Sequence, residues 1–315
     1  MRLRVIGRRV LSTAFSLVLA GWCEGQINPG DSAPTPHFNV DTTLVLIPTT
    51  VTDPLNRYVL GLEKQDFQLS EDGAPQTITN LSGEDVPLSV ALVFDTSSSM
   101  GDKLRVSRQA VVQFLKTMNA QDEACLIVFG DRAELASGFT NRVEDLQARL
   151  MTAEPRGLTA MFDAAEMALR EMKKAKNPRK AILIISDGGD NNSKYSASEI
   201  ETLVREADVQ VYAMGVFEPS IFLGLTKEEI SGPHLLSELA EQTGGRAFSA
   251  SDPNDLPSVA SRIGIELRNQ YVLAYSPKNQ KKDGKYRKVE VTVVKPAGIA
   301  NIKVRWRLGY YAPSQ

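Results

Sequence analysis

The chain has 315 residues, 42% of them hydrophobic and 23% charged, with a formal net charge of −2 and two histidines. That balance excludes a disordered chain as the default and gives enough length for one large domain or two small ones. The mild acidity argues against a nucleic-acid binder, which would want a basic face to neutralise phosphates.

The first residues differ from the rest. Arg2, Arg4, Arg8 and Arg9 precede an apolar stretch from Val10 to Trp22, followed by Cys23-Glu24-Gly25. A charged start, a short apolar run and a small residue at its exit describe a signal peptide over residues 1–25, too short for a spanning helix. Cleavage after Gly25 removes four arginines and Glu24 and moves the formal charge from −2 to −5. Leu19 to Cys23 resembles a bacterial lipoprotein box, but Trp22 stands where a small residue belongs, so lipid attachment at Cys23 is the lesser alternative. The expected location is outside the cytoplasm: secreted, periplasmic or at the cell surface. No other run is long and apolar enough to span a bilayer, which takes about 18 residues.

Residues 26–37, rich in Pro, Gly, Ser and Asp, read as a flexible leader ending at His37. From 38 to 86 the pattern is short β runs: Thr43 to Val51, Tyr58 to Leu60, Phe67 with Leu69, a turn at Asp72-Gly73, and Gln76 to Leu81. Between 87 and 269 apolar runs alternate with helical periodicity, which signals an α/β layer structure with a mostly parallel sheet. Leu88 to Phe94, Ala124 to Phe129, Ala181 to Ile185 and Val209 to Val216 are strands of the kind buried on both faces. Leu104, Val111, Leu115 and Met118 form one helical stripe, and Met161, Ala165, Ala168 and Met172 another. Cys125, alone after cleavage, reads as a small buried hydrophobe with no disulfide partner. Residues 270–315 return to strand alternation through Tyr271, Leu273 and Tyr275, then Val289, Val291 and Val293, then Ile302 to Tyr310. Neither terminal segment has the mass for its own core. They are therefore expected to form one antiparallel β domain, in two parts at 38–86 and 270–315, with the α/β domain inserted between them.

Oxygen donors gather where the α/β strands end. Asp95, Ser97 and Ser99 follow the first strand, Thr159 precedes the helix near Met161, and Asp187 follows the strand Ala181 to Ser186. In open α/β sheets ligands bind beyond the carboxyl ends of the strands. Two carboxylates and three hydroxyls suit a hard divalent cation: Mg²⁺ first, Mn²⁺ or Ca²⁺ as alternatives, with coordination positions left for an outside ligand. The competing account of Ser97 and Ser99 is capping of the next helix.

This constellation resembles the von Willebrand factor type A domain, whose metal-ion-dependent adhesion site is an Asp-x-Ser-x-Ser motif with a distant Thr and a distant Asp. Asp95, Ser97, Ser99, Thr159 and Asp187 match those five positions over a domain spanning 87–269. The resemblance implies a Rossmann-like fold and a partner protein whose Asp or Glu carboxylate completes the metal shell, with the two aspartates often acting through water. The flanks resemble those of secreted bacterial von Willebrand factor A-related proteins, through Gly61-Leu62 to Asp66-Phe67, Glu71-Asp72-Gly73 and Gly309-Tyr310-Tyr311.

Asp163 and Asp190 are candidates for a supporting shell, although Asp163 also suits the first turn of a helix and Asp190 an exposed turn. The apolar run Ile221 to Leu225, with Phe222 and Leu223, is a candidate partner contact at the same edge. No catalytic residue is assigned. The chain lacks a Gly-x-Ser-x-Gly elbow, a His-Glu-x-x-His motif and phosphate-binding glycine loops. A Mg²⁺-dependent phosphoryl-transfer hydrolase with Asp95 as nucleophile would want a second carboxylate where Ser97 stands. The remaining alternative is a structural module of the cell envelope whose metal only stabilises the fold.

Overall fold

The computed structural model describes residues 44–83, 86–187, 189–216, 227–250, 252–294 and 301–314, with the backbone alone for 216 and 227–233. The expected signal peptide and leader, and the candidate contacts Phe222 and Leu223, lie outside the described residues. In chain order the strands and helices are β1 (Val45–Thr52), β2 (Phe67–Glu71), β3 (Ala74–Gln76), β4 (Ile78–Ser82), β5 (Leu88–Asp95), α1 (Leu104–Leu115), β6 (Glu123–Phe129), β7 (Ala133–Thr140), α2 (Val143–Met151), α3 (Met161–Met172), β8 (Arg179–Ser186), α4 (Ala197–Glu206), β9 (Gln210–Val216), α5 (Lys227–Gln242), β10 (Ala247–Ala250), α6 (Leu256–Arg268), β11 (Tyr271–Tyr275), β12 (Tyr286–Val293), β13 (Lys303–Trp306) and β14 (Gly309–Tyr311).

The central sheet runs β10-β9-β8-β5-β6-β7, parallel at every pair except β6 with β7. Every residue of β5 is buried, because successive side chains enter two different cores. Leu88, Val90, Leu92 and Phe94 meet α1, α2 and α6 on one face. Ala91 and Val93 meet α3, α4 and α5 on the other. The chain leaves β5 toward β6 on one side and returns to β8 on the other, so strand order reverses at β5 and opens a crevice beyond its carboxyl end. Asp95 closes that strand.

The two terminal segments interleave strand by strand. β1 and β4, from before the central sheet, pair with β11 and β13, from after it, in the order β13-β1-β11-β4. A second antiparallel sheet runs β14-β12-β2-β3. Ile47, Leu69, Leu273, Val289 and Val291 fill the space between these sheets. Three expectations are corrected. Tyr58 to Leu60 is not a strand but a single bridge between Tyr58 and Thr52. The run Gln76 to Leu81 splits into β3 and β4, which belong to different sheets. Ile302 to Tyr310 likewise splits into β13 and β14, one in each sheet. Such corners move a strand between packed layers, and the unbroken alternation from Ile302 to Tyr310 gives no sign of the second.

Buried polar groups tie the layers together. Gln270, between α6 and β11, donates to Thr50 Oγ1 at 3.1 Å and to Tyr212 Oη at 2.9 Å, and accepts from Arg179 at 3.1 Å. Glu266, at the end of α6, pairs with Arg305 of β13 at 3.1 Å. Within the β domain, Glu71 accepts hydroxyls from Tyr275 at 2.7 Å and Tyr310 at 2.8 Å. Burial first, and then that carboxylate, hold both phenols protonated far above their ordinary range. This one acceptor joins β2 to β11 and β14, strands about 200 residues apart in sequence. Glu71→Ala leaves two buried hydroxyls without it and is expected to cost about 2 to 3 kcal/mol in urea unfolding. A loss below about 0.5 kcal/mol, the range of ordinary surface changes, would show that the hydroxyls are not held this way.

Candidate metal centre

Asp95 is fully buried. Its carboxylate accepts the Ser186 hydroxyl at 2.6 Å and the Ser97 amide at 2.8 Å. Burial, and after it the neighbouring Asp187 charge, push Asp95 up to about 7 against these stabilising bonds. An acid raised in this way sits where burial first, and a second carboxylate after it, disfavours its ionised form.

Ser97 and Ser99 lie at the start of a 3₁₀ helix, Ser98–Lys103, that leads into α1. Ser97 occupies the N-cap position with extended backbone, yet its side chain makes no capping hydrogen bond. Its hydroxyl instead faces that of Ser99 at 3.0 Å. The capping account of these two residues therefore fails for Ser97, which lies against Asp95 and faces the exposed Ser99.

Thr159 arrives on the loop between α2 and α3 and is buried. Arg156 donates its backbone N–H to Thr96 O at 2.8 Å, and Ser98 donates to Gly157 O at 3.1 Å, so this loop is zipped against the one carrying the serines. Asp131, in the β6–β7 turn, sets the other side. Its Oδ1 accepts the Leu158 N–H at 2.8 Å, and its carbonyl accepts the Asn192 side chain at 2.7 Å. Gly157 has φ +77°, and a Cβ there would fall 2.3 Å from the Asp131 carboxylate. Asn191 completes the clamp: its Oδ1 accepts the Thr159 N–H at 2.8 Å, and the N–H groups of Asn191 and Asn192 donate to Thr159 O.

Asp187, the fifth candidate donor, follows β8 directly and is paired with Lys103 at 3.5 Å. Parallel pairing of Phe94 with Ile185 brings the ends of β5 and β8 side by side. Asp190 and Asp163 bond to the start of α3 and to the loop that follows Asp187. Asp190 accepts the Phe162 N–H at 2.9 Å and the Ser193 hydroxyl at 2.6 Å, so it caps α3 from another loop. This corrects its reading as an exposed turn residue. Asp163 accepts the N–H groups of Lys194 and Tyr195, fixing the loop that follows Asp187. Reasoning from sequence missed Ser186, Asp131, Asn191, Asn192 and Lys103. Only Ser186 carried a usable signal, since it stands next to Asp187 at a strand end.

No group of three or more His, Cys, Asp or Glu side chains is assembled for a metal among the described residues. The candidate set has two carboxylates, and its other donors are hydroxyls. Such a set fits a hard, oxygen-seeking cation and would leave it electrophilic, because neutral hydroxyls cancel little of its charge. A cleft of about 670 Å³ opens beside Thr96, bordered by Gly130, Asp131, Arg149 and Arg156. Leu158, next to Thr159, is half exposed. His234 is paired with Glu238 on an exposed face of α5.

Residues 90–189 match the von Willebrand factor type A domain, and all five candidate donors fall inside that span. Inter-alpha-trypsin inhibitor heavy chain H4 of Sus scrofa is 27% identical over 133 residues, 39% of this chain and 14% of that protein. An uncharacterized protein of Borreliella burgdorferi is 22% identical over 184 residues, 52% of this chain and 54% of that protein. The chain thus spans at most about half the length of these relatives. The von Willebrand factor type A structure from Catenulispora acidiphila aligns over 87% of this chain and 74% of its own, with a TM-score of 0.51 and 11% identity, a likeness of fold.

The Asp131 clamp can be tested without any ligand. Gly157→Ala is expected to destabilise the protein by about 1 to 2 kcal/mol through its positive φ, and by more through the clash with Asp131. Adding Asp131→Ala relieves the clash, so a double-mutant cycle should show a coupling above about 0.5 kcal/mol. Strict additivity would contradict the clamp.

Proposed function

On the premise that residues 90–189 carry a von Willebrand factor type A domain, we propose that the protein is an exported, metal-dependent binding module. In this reading Asp95, Ser97, Ser99, Thr159 and Asp187 hold a divalent cation, Mg²⁺ before Mn²⁺ or Ca²⁺, against which a partner protein lays an Asp or Glu carboxylate. The observation that carries the reading is the state of the two serines. Their hydroxyls are 3.0 Å apart, Ser97 is not spent on its helix, and Ser97 bonds to a buried carboxylate pressed by a second one.

Each residue has a physical task. Ser97, Ser99 and Thr159 offer neutral oxygens, so the bound cation can still attract an external anion. Asp95 and Asp187 supply the negative charge that draws a cation into a partly buried place. Ser186 and the Ser97 amide fix the orientation of Asp95, and Asn191 with Asp131 fixes the loop of Thr159. When bound, the cation supplies Lewis acidity toward a partner carboxylate. Leu158 and the cleft beside Thr96 would then meet the flanks of that partner. The apolar start of the chain supports export, and among the described residues no helix is long and apolar enough to cross a membrane.

Thermal unfolding with and without Mg²⁺ tests the site. Wild type is expected to gain several degrees with saturating Mg²⁺, by the linkage of binding to folding. Asp95→Asn, which keeps the shape and removes the charge, should abolish the gain. Partner complexes should dissociate on chelation and fail to form after the partner's carboxylates are amidated. A Mg²⁺ response that survives Asp95→Asn would overturn the assignment. A metal that raises stability while partner binding ignores chelation would assign it a purely structural role.

A further inference from the structure

The 3₁₀ helix that delivers Ser97 and Ser99 delivers a cation as well. Its last residue is Lys103, whose ammonium lies 3.5 Å from Asp187 Oδ2. The two side chains are only 18% and 13% exposed, so water screens the pair less than it would at the surface. Among the described residues, Lys103 is the one basic side chain ion-paired with any of the five candidate donors. The arrangement is not required by the local backbone. Lys103 occupies the N-cap position of α1 with helical φ and ψ, and its ammonium, which has no lone pair to offer the helix N–H groups, reaches across to Asp187.

We propose that Lys103 is a tethered competitor for the divalent cation, a positioning residue that sets how tightly the site takes up metal. The proposal rests on the metal-site reading above. Two carboxylates facing each other repel, and an ammonium held by a flexible four-carbon stem offsets part of that repulsion while no metal is bound. A divalent ion drawn to the same carboxylates meets the ammonium within a few ångströms, and like charges this close and this poorly screened oppose each other. Uptake of the metal therefore displaces Lys103 from Asp187, and the strength of that contact is subtracted from the metal affinity. Asp95 is spared this competition because its oxygens are engaged by Ser186 and the Ser97 amide. The domain would then stay closed to scarce metal and load only above a threshold concentration, with Lys103 setting the threshold.

The test is a Mn²⁺ titration of the full chain, read by the loss of the free-ion electron paramagnetic resonance signal, for wild type, Lys103→Met and Lys103→Arg. Removal of the charge with the stem length kept is expected to tighten Mn²⁺ binding about tenfold. Lys103→Arg, which keeps the charge, should stay within about threefold of wild type. Without metal, Lys103→Met should melt below wild type, because the carboxylates have lost their counterion, and its gain on adding Mn²⁺ should be the larger. Unchanged or weaker Mn²⁺ binding in Lys103→Met, with wild-type binding intact, overturns the competitor role and leaves the metal site standing. Binding absent from all three chains overturns both. Should Lys103→Met fail to fold, Lys103→Gln makes the same comparison.

Discussion

A fully buried carboxylate at the end of a strand with both faces covered constrains the rest of the molecule. Asp95 cannot reach solvent, because β5 lies at the middle of a parallel sheet between two helical layers. Its charge must be met by what neighbouring loops bring, and the sheet determines which loops those are. Strand-order reversal at β5 puts the end of β8 beside it, with Ser186 and Asp187. The first turn after β5 folds back as a 3₁₀ helix and offers Ser97 and Ser99. The Thr159 loop is zipped on by backbone hydrogen bonds. The candidate site is a consequence of topology before it is a consequence of any one side chain.

The β domain answers a different problem. Two short segments at opposite ends of the chain each carry one apolar face and too little mass to bury it alone. Interleaving them buries both faces, and it places the start and the end of the central α/β layer on one body. The junction residue Gln270 bonds to groups from β1, β8 and β9, so the base of the central sheet is held by polar contacts as well as by packing. Glu71 has the corresponding role inside the β domain, where a single carboxylate satisfies tyrosines from two later strands.

Much of this was legible in the sequence, for physical reasons that can be named. Parallel strands covered on both faces read as unbroken apolar runs, and β5, β6, β8 and β9 were visible as such. β7 was not, because Ala-Glu-Leu-Ala-Ser-Gly-Phe-Thr shows neither alternation nor an apolar run; it is an edge strand defined by its pairing with β6. The split at Arg307-Leu308 was hidden because alternation continues across it from Ile302 to Tyr310, and the split at Thr77 because Gln76 to Leu81 carries too few apolar residues to mark a change of sheet. In the site, oxygen donors at strand ends stood out from their spacing. The residues that hold them did not. Asp131 reaches Leu158 across 27 positions, and Lys103 reaches Asp187 across 84, contacts that only the folded loops create.

The central claim is that five oxygen-bearing side chains from three loops form one cation site. A crystal structure grown with Mn²⁺ and phased to show its anomalous signal tests this most directly. The account predicts a single strong peak bonded to the hydroxyls of Ser97 and Ser99, within about 2.5 Å of each, with Asp95, Thr159 and Asp187 around it and the Lys103 ammonium moved off Asp187. A peak elsewhere on the molecule, or none at saturating Mn²⁺ with the Lys103 contact unchanged, would contradict it.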